Sequence, residues 1–401
     1  LKIAFFTDSW LPNVDGVVTS LVNSRTELEK RGHDVHVFAP GPSAIGASGI
    51  GVRAFKQLLK PLPSPEGDRR VHYYRSLKFP PYPQYRIAFF PYHTRREVKK
   101  AGVQLVHCHA MASMGFLARR IADELDLPLV GTFHTMLPLG LHYVGARRKW
   151  SKAILSEVAW RAIREFYRPF DLVIAPTNAI KTLLEEHGVE PPVVAIPNGI
   201  DLSRFNSKAD PRIVRKLLGI QKDEAMVLSV GRLGEEKNLE VLIRAAREVL
   251  KKRRARFVIV GDGPARAKYE QLVSRLGLGK NFVFRGFVSQ VELPFYYAAC
   301  DVFATPSTFE TQGLSVIEAM ACGKPVVGAN ALALGDIIRD RKNGFLFKPF
   351  DSRECAGKIL KTLALSAAEK KRMSREASKT ALEYSVQRCT DRLLEAYKRF
   401  V

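Results

Sequence analysis

Short β-rich runs alternate with helix-patterned stretches along this chain, and that alternation limits its fold more than any other feature. Candidate strands are 2–7, 35–39, 71–75, 104–109, 128–132, 171–175 and 193–196, followed by 226–230, 257–261, 282–287, 301–305 and 325–328. Such brief apolar runs suit strands covered on both faces, which is the setting of a parallel sheet. Between them lie amphipathic patterns such as 238–252, where Leu239, Leu242, Ile243, Ala246, Val249 and Leu250 fall on one helical face. Alternating strand and helix gives an α/β protein with helices on both sides of each sheet. At 401 residues the chain is too long for one such core, so the twelve strands imply two doubly wound parallel-sheet domains. The break between them is expected in 190–212, where Pro191-Pro192, Pro197-Asn198-Gly199-Ile200-Asp201 and Asp210-Pro211 cluster. Residues 41–67, rich in Gly, Pro and Ser, read as a mobile loop within the first domain.

Charge narrows the partners. Lys and Arg total 63 against 40 acidic residues, which favours an anionic partner. The excess of the first half sits in residues 51–100, with 12 basic and 3 acidic residues, including Arg69, Arg70, Arg86, Arg95, Arg96, Lys99 and Lys100. Tyr73, Tyr74, Phe79, Tyr82, Tyr85, Phe89, Phe90 and Tyr92 are interleaved with them. Rings favour the headgroup zone of a bilayer and Lys/Arg meet lipid phosphates, so this segment suits an anionic membrane surface. A second basic segment runs from Arg147 to Arg168 around Trp150. There Ile154, Leu155, Val158, Ala159, Ala162 and Phe166 recur at helical spacing, with Arg161, Arg164 and Arg168 on another face. An ordinary surface helix packed on its own domain explains the same pattern. No helix-turn-helix, RNP or zinc-finger signature is present, which argues against nucleic acid. No run of 18 apolar residues occurs, and Leu1–Thr7 reads as a strand rather than a secretion signal. Five widely spaced cysteines without a Cys-x-x-Cys disfavour a disulfide scaffold or zinc site and point to the cytoplasm.

In doubly wound folds ligands bind beyond the carboxyl ends of the strands, so the residues there are the chemical candidates. Gly16, after the first strand and before a helix, lets backbone amides approach a phosphate, or simply makes a tight turn. Arg232 ends the strand Val227–Val230, with Lys237-Asn238 opening the next helix. The two cations form either a diphosphate clamp, fork plus point charge, or a solvated pair. Glu310 precedes a helix and Glu318 lies inside it, with the Gly313 and Leu314 amides at the helix end. Carboxylates that accept from vicinal hydroxyls suit a sugar and a ribose on either side of a diphosphate; a surface Glu pair is the plainer reading. Gly261-Asp262-Gly263-Pro264 and Arg285-Gly286-Phe287 end strands on the same edge. His134 follows the strand 128–132 and is a candidate for substrate contact, whereas alternation turns His107 into the core. No acidic third ligand stands at a recognised spacing, so no metal site is expected.

Taken together, these residues resemble a family-4 glycosyltransferase of the GT-B fold. The resemblance rests on Gly16, Ser229-Val230-Gly231-Arg232 with Lys237-Asn238, Gly261-Asp262-Gly263-Pro264, Pro197–Asp201, and Pro306 to Glu318 with seven residues between Glu310 and Glu318. It implies two Rossmann-like domains facing a central cleft: 1–195, joined by a C-terminal helix 384–401, and 196–383. It implies a hexose transferred from a nucleoside-diphosphate sugar with retention of configuration, without a required metal or other cofactor. Arg232 and Lys237 would bind the diphosphate, Glu318 the ribose, Glu310 sugar hydroxyls, and Gly313 and Leu314 the phosphates. Gly16 would lie against the diphosphate, His134 would touch the transferred sugar, and Gly261 and Arg285–Val288 would line the nucleotide. Phe6-Thr7-Asp8-Ser9-Trp10-Leu11-Pro12 and Gly131-Thr132-Phe133-His134-Thr135-Met136 with His142-Tyr143 look like membrane-associated diacylglycerol glucosyltransferases. That implies UDP-glucose as donor and a lipid acceptor such as diacylglycerol at the inner face of the cell membrane; the alternative is an α-mannosyl- or other hexosyltransferase, with GDP-mannose as donor, acting on a phosphatidylinositol-type lipid or a soluble sugar. The departures are Ala110 after His-x-His, where many relatives carry an acid, and Leu137–Gly140, which lack an acidic aromatic stretch.

Overall fold

The computed structural model describes residues 1–13, 15–44, 67–79, 82–88, 93–134 and 149–401. The chain forms two units, Leu1–Gly199 with Val386–Val401, and Ile200–Ser385. The first crossing falls between Gly199 and Ile200: Ile196 N donates to Ala175 O, Ser20 Oγ donates to Asn198 Oδ1, and Asn23 Nδ2 donates to Gly199 O. These bonds tie 196–199 to the first unit.

The first unit holds an eight-stranded sheet: β1 (Lys2–Phe6), β2 (Asp34–Ala44), β3 (Val71–Phe79), β4 (Tyr82–Ala88), β5 (Leu105–Cys108), β6 (Leu129–Thr132), β7 (Leu172–Ala175) and β8 (Val193–Ala195). Their order is β4-β3-β2-β1-β5-β6-β7-β8, with β3/β4 antiparallel and the other pairs parallel. The second unit is a parallel sheet of β9 (Ala225–Val230), β10 (Ala255–Val260), β11 (Phe282–Gly286), β12 (Val302–Thr305), β13 (Val326–Ala329) and β14 (Gly344–Phe347), in the order β11-β10-β9-β12-β13-β14. Both are doubly wound, as the alternation of elements required. Strand order reverses at β1/β5 and at β9/β12, and those are the points where a crevice opens beyond the strand ends.

Apolar side chains on both faces of each sheet form the cores, so the strands β1, β5, β6, β7, β12 and β13 carry almost unbroken buried runs. The helix Val386–Tyr397 belongs to the first unit, where Leu393, Ala396 and Tyr397 join the cluster around Ile3, Phe5, Leu105 and Val130. Asp8, just beyond β1, caps the helix Ser113–Leu125: it accepts from Ala112 N and Met114 N at 2.9 Å and from Ser113 Oγ at 3.1 Å. Ala112, at the N-cap, has no side chain to do this.

Three expectations need correction. Strands β4 and β14 were not anticipated, and β2 runs on to Ala44, into the stretch read as loop; residues 45–66 lie outside the described residues. Tyr73 and Tyr74 are core residues, enclosed on opposite faces of the sheet: Tyr73 packs with Trp10, Leu21 and Leu28 and its Oη donates to Leu11 O, while Tyr74 lies under the helix Thr94–Ala101, where Thr94 Oγ1 donates to its Oη. They are unavailable to a membrane. Side chains of Phe79, Tyr82 and Tyr85 and all of Phe89, Phe90 and Tyr92 lie outside the described residues. The helix Lys149–Tyr167 buries Trp160, Ile163, Phe166 and Tyr167, a stripe rotated from the expected one. The aromatic residues set its register, which leaves Ile154 and Val158 each 58% exposed.

Candidate functional site

In the second unit the ends of β9, β10 and β11 are stitched together by backbone. Gly231 N donates to Val260 O at 3.0 Å, Gly261 N to Gly286 O at 2.8 Å, and Leu233 N to Asp262 O at 2.9 Å. Gly261 has φ +124°, and a Cβ there would stand 2.0 Å from the Gly231 carbonyl oxygen. Only glycine fits on both counts. Gly261→Ala is therefore expected to force the β9 and β10 ends apart, lowering the melting temperature by roughly 4 °C or more; a thermal melt within 1 °C of the parent would contradict this packing.

The loop after β9 carries the predicted cations, and both have carboxylate partners. Arg232 Nη2 lies 2.5 Å from Glu236 Oε1, and Glu236 is almost enclosed, its side chain 3% exposed. Lys237 Nζ donates to Glu310 Oε1 at 2.7 Å, with side chains 25% and 17% exposed. Asn238 Nδ2 donates to Thr308 Oγ1 at 2.9 Å, tying this loop to the one after β12. Arg232, Lys237, Glu310, Ser229 and Thr305 line one pocket at the β9/β12 reversal. The structure thus brings Arg232, Lys237 and Glu310 together, and the two cations are not a solvated pair.

Gly313, at φ +73°, is the N-cap of the helix Leu314–Ala321, so the Gly313 and Leu314 amides lie at its positive end. Glu318, one turn further in, is 6% exposed and accepts a hydrogen bond from Tyr297 Oη at 2.7 Å. Burial pushes the Glu318 carboxyl up to about 7, against the opposing effect of the Tyr297 hydroxyl. Glu318 is therefore not a surface residue. Arg285 is exposed, with Nε donating to Tyr296 Oη at 2.8 Å, and the Val288 side chain is buried in the core.

In the first unit Gly16 opens the helix Gly16–Lys30, whose N-cap, Asp15, accepts from Val18 N at 2.8 Å. His134, beyond β6, is one of three adjacent imidazoles. His109 Nδ1 and His134 Nε2 are 3.1 Å apart, so one of the two rings carries the hydrogen between them. His107 is enclosed, with Nδ1 2.5 Å from Tyr397 Oη and Nε2 2.7 Å from Thr132 Oγ1. Burial holds His107 and His109 far below the ordinary imidazole range and His134 down to about 4, so all three are neutral at pH 7. Among the described residues no group of three His, Cys, Asp or Glu side chains is placed to hold a metal ion.

The basic set is divided. Arg95, Arg96, Lys99 and Lys100 project from the helix Thr94–Ala101, and Arg69 is exposed. Arg70 is drawn into an acidic group, 3.3 Å from Glu29 and 3.5 Å from Asp34, and Arg86 Nη1 donates to Ser76 Oγ. Trp150 lies in the helix Lys149–Tyr167, its side chain outside the described residues. Among the described residues no helix is long and apolar enough to cross a membrane.

Sequence reasoning missed Glu236 and Tyr297. Glu236 meets Arg232 through a loop that closes into the short 3-10 turn Glu235–Lys237, a geometry that no helical spacing announces. Tyr297 lies on the separate helix Leu293–Ala299, and no local spacing links it to Glu318.

Residues 14–204 match the family described as Glycosyltransferase Family 4, and residues 211–380 match Glycosyl transferases group 1. Among curated relatives, the alpha-monoglucosyldiacylglycerol synthase of Acholeplasma laidlawii is 30% identical over 86% of this chain and 85% of its own length. A GDP-mannose-dependent alpha-mannosyltransferase of Mycolicibacterium smegmatis is 29% identical over 89% of this chain and 86% of its own. Among solved structures, Anabaena Alr3699/HepE, crystallised with UDP and glucose, superposes with a TM-score of 0.74 at 24% identity, covering 99% of each chain. Two doubly wound units, the clustered Arg232, Lys237 and Glu310, and these matches lead to one conclusion: the chain belongs to glycosyltransferase family 4 and is a hexosyltransferase of the GT-B fold.

Proposed function

We propose that the protein transfers glucose from UDP-glucose to a membrane lipid such as diacylglycerol, with retention, giving an α-linked glycolipid. The observation that carries this reading is the pocket of Arg232, Lys237 and Glu310 at the β9/β12 reversal, with buried Glu318 on the neighbouring helix. Arg232 and Lys237 hold the diphosphate, the Gly313 and Leu314 amides add to its binding, and Glu318 accepts from the ribose hydroxyls. Glu310 accepts from sugar hydroxyls while fixing the Lys237 ammonium. Gly261, Arg285 and the Val288 backbone line the nucleotide. Within the first unit, Gly16 at its helix start suits a phosphate, and His134, being neutral, offers a sugar a hydrogen bond rather than an ion pair.

The acceptor hydroxyl attacks the anomeric carbon from the face the diphosphate leaves. The departing phosphate oxygen takes the acceptor proton, and because attack and departure share one face, no enzymic carboxylate nucleophile is needed. Arg232 and Lys237 stabilise the charge that develops on the leaving group, and such preorganised electrostatic stabilisation is commonly what accelerates a reaction of this kind most. The diacylglycerol reading is supported by the Acholeplasma relative; the mycobacterial relative favours a second one, mannose from GDP-mannose onto another acceptor.

A lipid acceptor calls for contact with an anionic bilayer from the cytoplasmic side. Support comes from the exposed cations Arg95, Arg96, Lys99 and Lys100 and from the uncovered Ile154 and Val158. Reversing three charges, in Arg96→Glu with Lys99→Glu and Lys100→Glu, is expected to weaken binding to phosphatidylglycerol vesicles about a hundredfold or more at low salt. Equal co-sedimentation of variant and parent would exclude this surface from membrane binding.

The test of the whole reading is mass spectrometry on protein incubated in EDTA with UDP- and GDP-sugars, with and without vesicles of diacylglycerol and phosphatidylglycerol. A hexosyl-diacylglycerol formed from UDP-glucose only with vesicles supports it. Transfer from GDP-mannose alone favours the second reading. Slow donor hydrolysis without any glycolipid removes the lipid acceptor.

A further inference from the structure

Tyr297 has no part in the roles assigned above, yet its hydroxyl is the group that touches the Glu318 carboxylate. Its ring is fully enclosed, edge-on to Phe205 at 5.9 Å and tilted against Phe303 at 5.8 Å, so the hydroxyl is aimed by packing on both sides. Burial keeps the phenol protonated far above neutral pH, so it remains a donor. The Tyr297 Oη to Glu318 Oε2 bond, 2.7 Å long, runs between two different helices, Leu293–Ala299 and Leu314–Ala321. A glutamate on a helix has three rotatable bonds, and a buried one without a donor would turn or protonate. Here one oxygen is pinned and the other is left in a defined direction. The other ionisable groups that bear on the carboxylate are Arg204, which attracts it from the loop after Ile200, and the neutral thiol of Cys322.

We propose that Tyr297 is a positioning residue: by holding Glu318 Oε2 it presents the second carboxylate oxygen to the ribose hydroxyls of the donor. The inference rests on the ribose role given to Glu318 above. Tyr297 acts through Glu318 and touches no substrate atom. The arrangement binds ribose tightly because the acceptor is oriented before the ligand arrives.

Calorimetric titration with UDP, or GDP if it binds more tightly, and with the corresponding 2′,3′-dideoxynucleoside diphosphate tests this. The proteins are the parent, Tyr297→Phe, Glu318→Gln and the double variant, each with an unchanged far-UV spectrum, from about pH 6 to 9. Phenylalanine keeps the ring in its packing and removes only the hydroxyl. Tyr297→Phe is expected to weaken the nucleotide about tenfold, the effect of one hydrogen bond to a charged group, and to leave the dideoxy form unchanged. It should add nothing in the Glu318→Gln background, and the pH below which affinity falls should move upward. Equal weakening of both nucleotide forms, or no weakening of either, overturns the positioning role. If Glu318→Gln itself does not distinguish the two forms, the ribose assignment falls first and takes this inference with it.

Discussion

Glu318→Gln is expected to make the protein more stable at pH 8 and, at the same time, to weaken its donor. Burial raises the folded-state carboxyl to about 7, from an ordinary value near 4.5. Below about pH 4.5 the group is protonated folded or unfolded and costs nothing. As pH rises the unfolded chain ionises first, so stability is lost progressively up to about pH 7 and stays lost above it. Glutamine keeps the Tyr297 hydrogen bond and has no charge to bury. Its melting temperature should exceed that of the parent by about 6 °C or more at pH 8, since a rise from about 4.5 to about 7 is worth roughly 3 kcal/mol, and should match it near pH 4. Nucleotide affinity should fall roughly 10- to 100-fold at pH 8, the scale of hydrogen bonds to a charged acceptor. In the parent, affinity should decline below pH 7 as Glu318 protonates. A variant no more stable at pH 8 than at pH 5, relative to the parent, would contradict the buried ionisation. Stability given up for a poised binding group is a common feature of active sites.

Lys237→Ala should have the largest effect on turnover. Its ammonium is assigned to the leaving diphosphate, where removal of one preorganised electrostatic contact lowers kcat by about 10²–10³. Alanine also leaves Glu310 without its partner at 2.7 Å, so an unpaired carboxylate remains in the pocket beside Arg232. Donor binding should therefore weaken as well. Adding Glu310→Gln should recover part of that affinity but not kcat, because neutralising the carboxylate restores no charge stabilisation to the departing phosphate. Initial rates at saturating donor give the comparison. A Lys237→Ala enzyme with kcat within about threefold of the parent would take Lys237 out of the chemistry.

The sheets were legible because their strands are covered on both faces. Residues 226–230 and 257–261 read as strands from apolar content alone, where the structure has Ala225–Val230 and Ala255–Val260, and a helix of 3.6 periodicity separates them. Strand β4 escaped because it is an antiparallel edge with Pro83 and the polar pair Gln84 and Arg86 in its run, and β14 because it is four residues long and opens on glycine. The misreading of Tyr73 and Tyr74 has the opposite origin. Local composition placed them among cations, but the elements packed on the two faces of β3 enclose them, and such packing is a non-local property. The same division runs through the site. Arg232, Lys237 and Glu310 were legible as chemistry at strand ends, whereas Glu236 was not, because the loop and short turn that bring it to Arg232 have no repeating spacing. The direct Lys237–Glu310 pair spans 73 positions and the Tyr297–Glu318 bond spans 21, so both needed the fold.

The most direct test of the assigned site is a crystal structure of the protein with UDP, or with GDP if that binds more tightly. The expected result is diphosphate oxygens within hydrogen-bonding distance of the Arg232 guanidinium and Lys237 Nζ, close to the Gly313 and Leu314 amides, with the ribose hydroxyls on Glu318. A nucleotide bound elsewhere, or bound with Glu318 making no contact to the ribose, would contradict it.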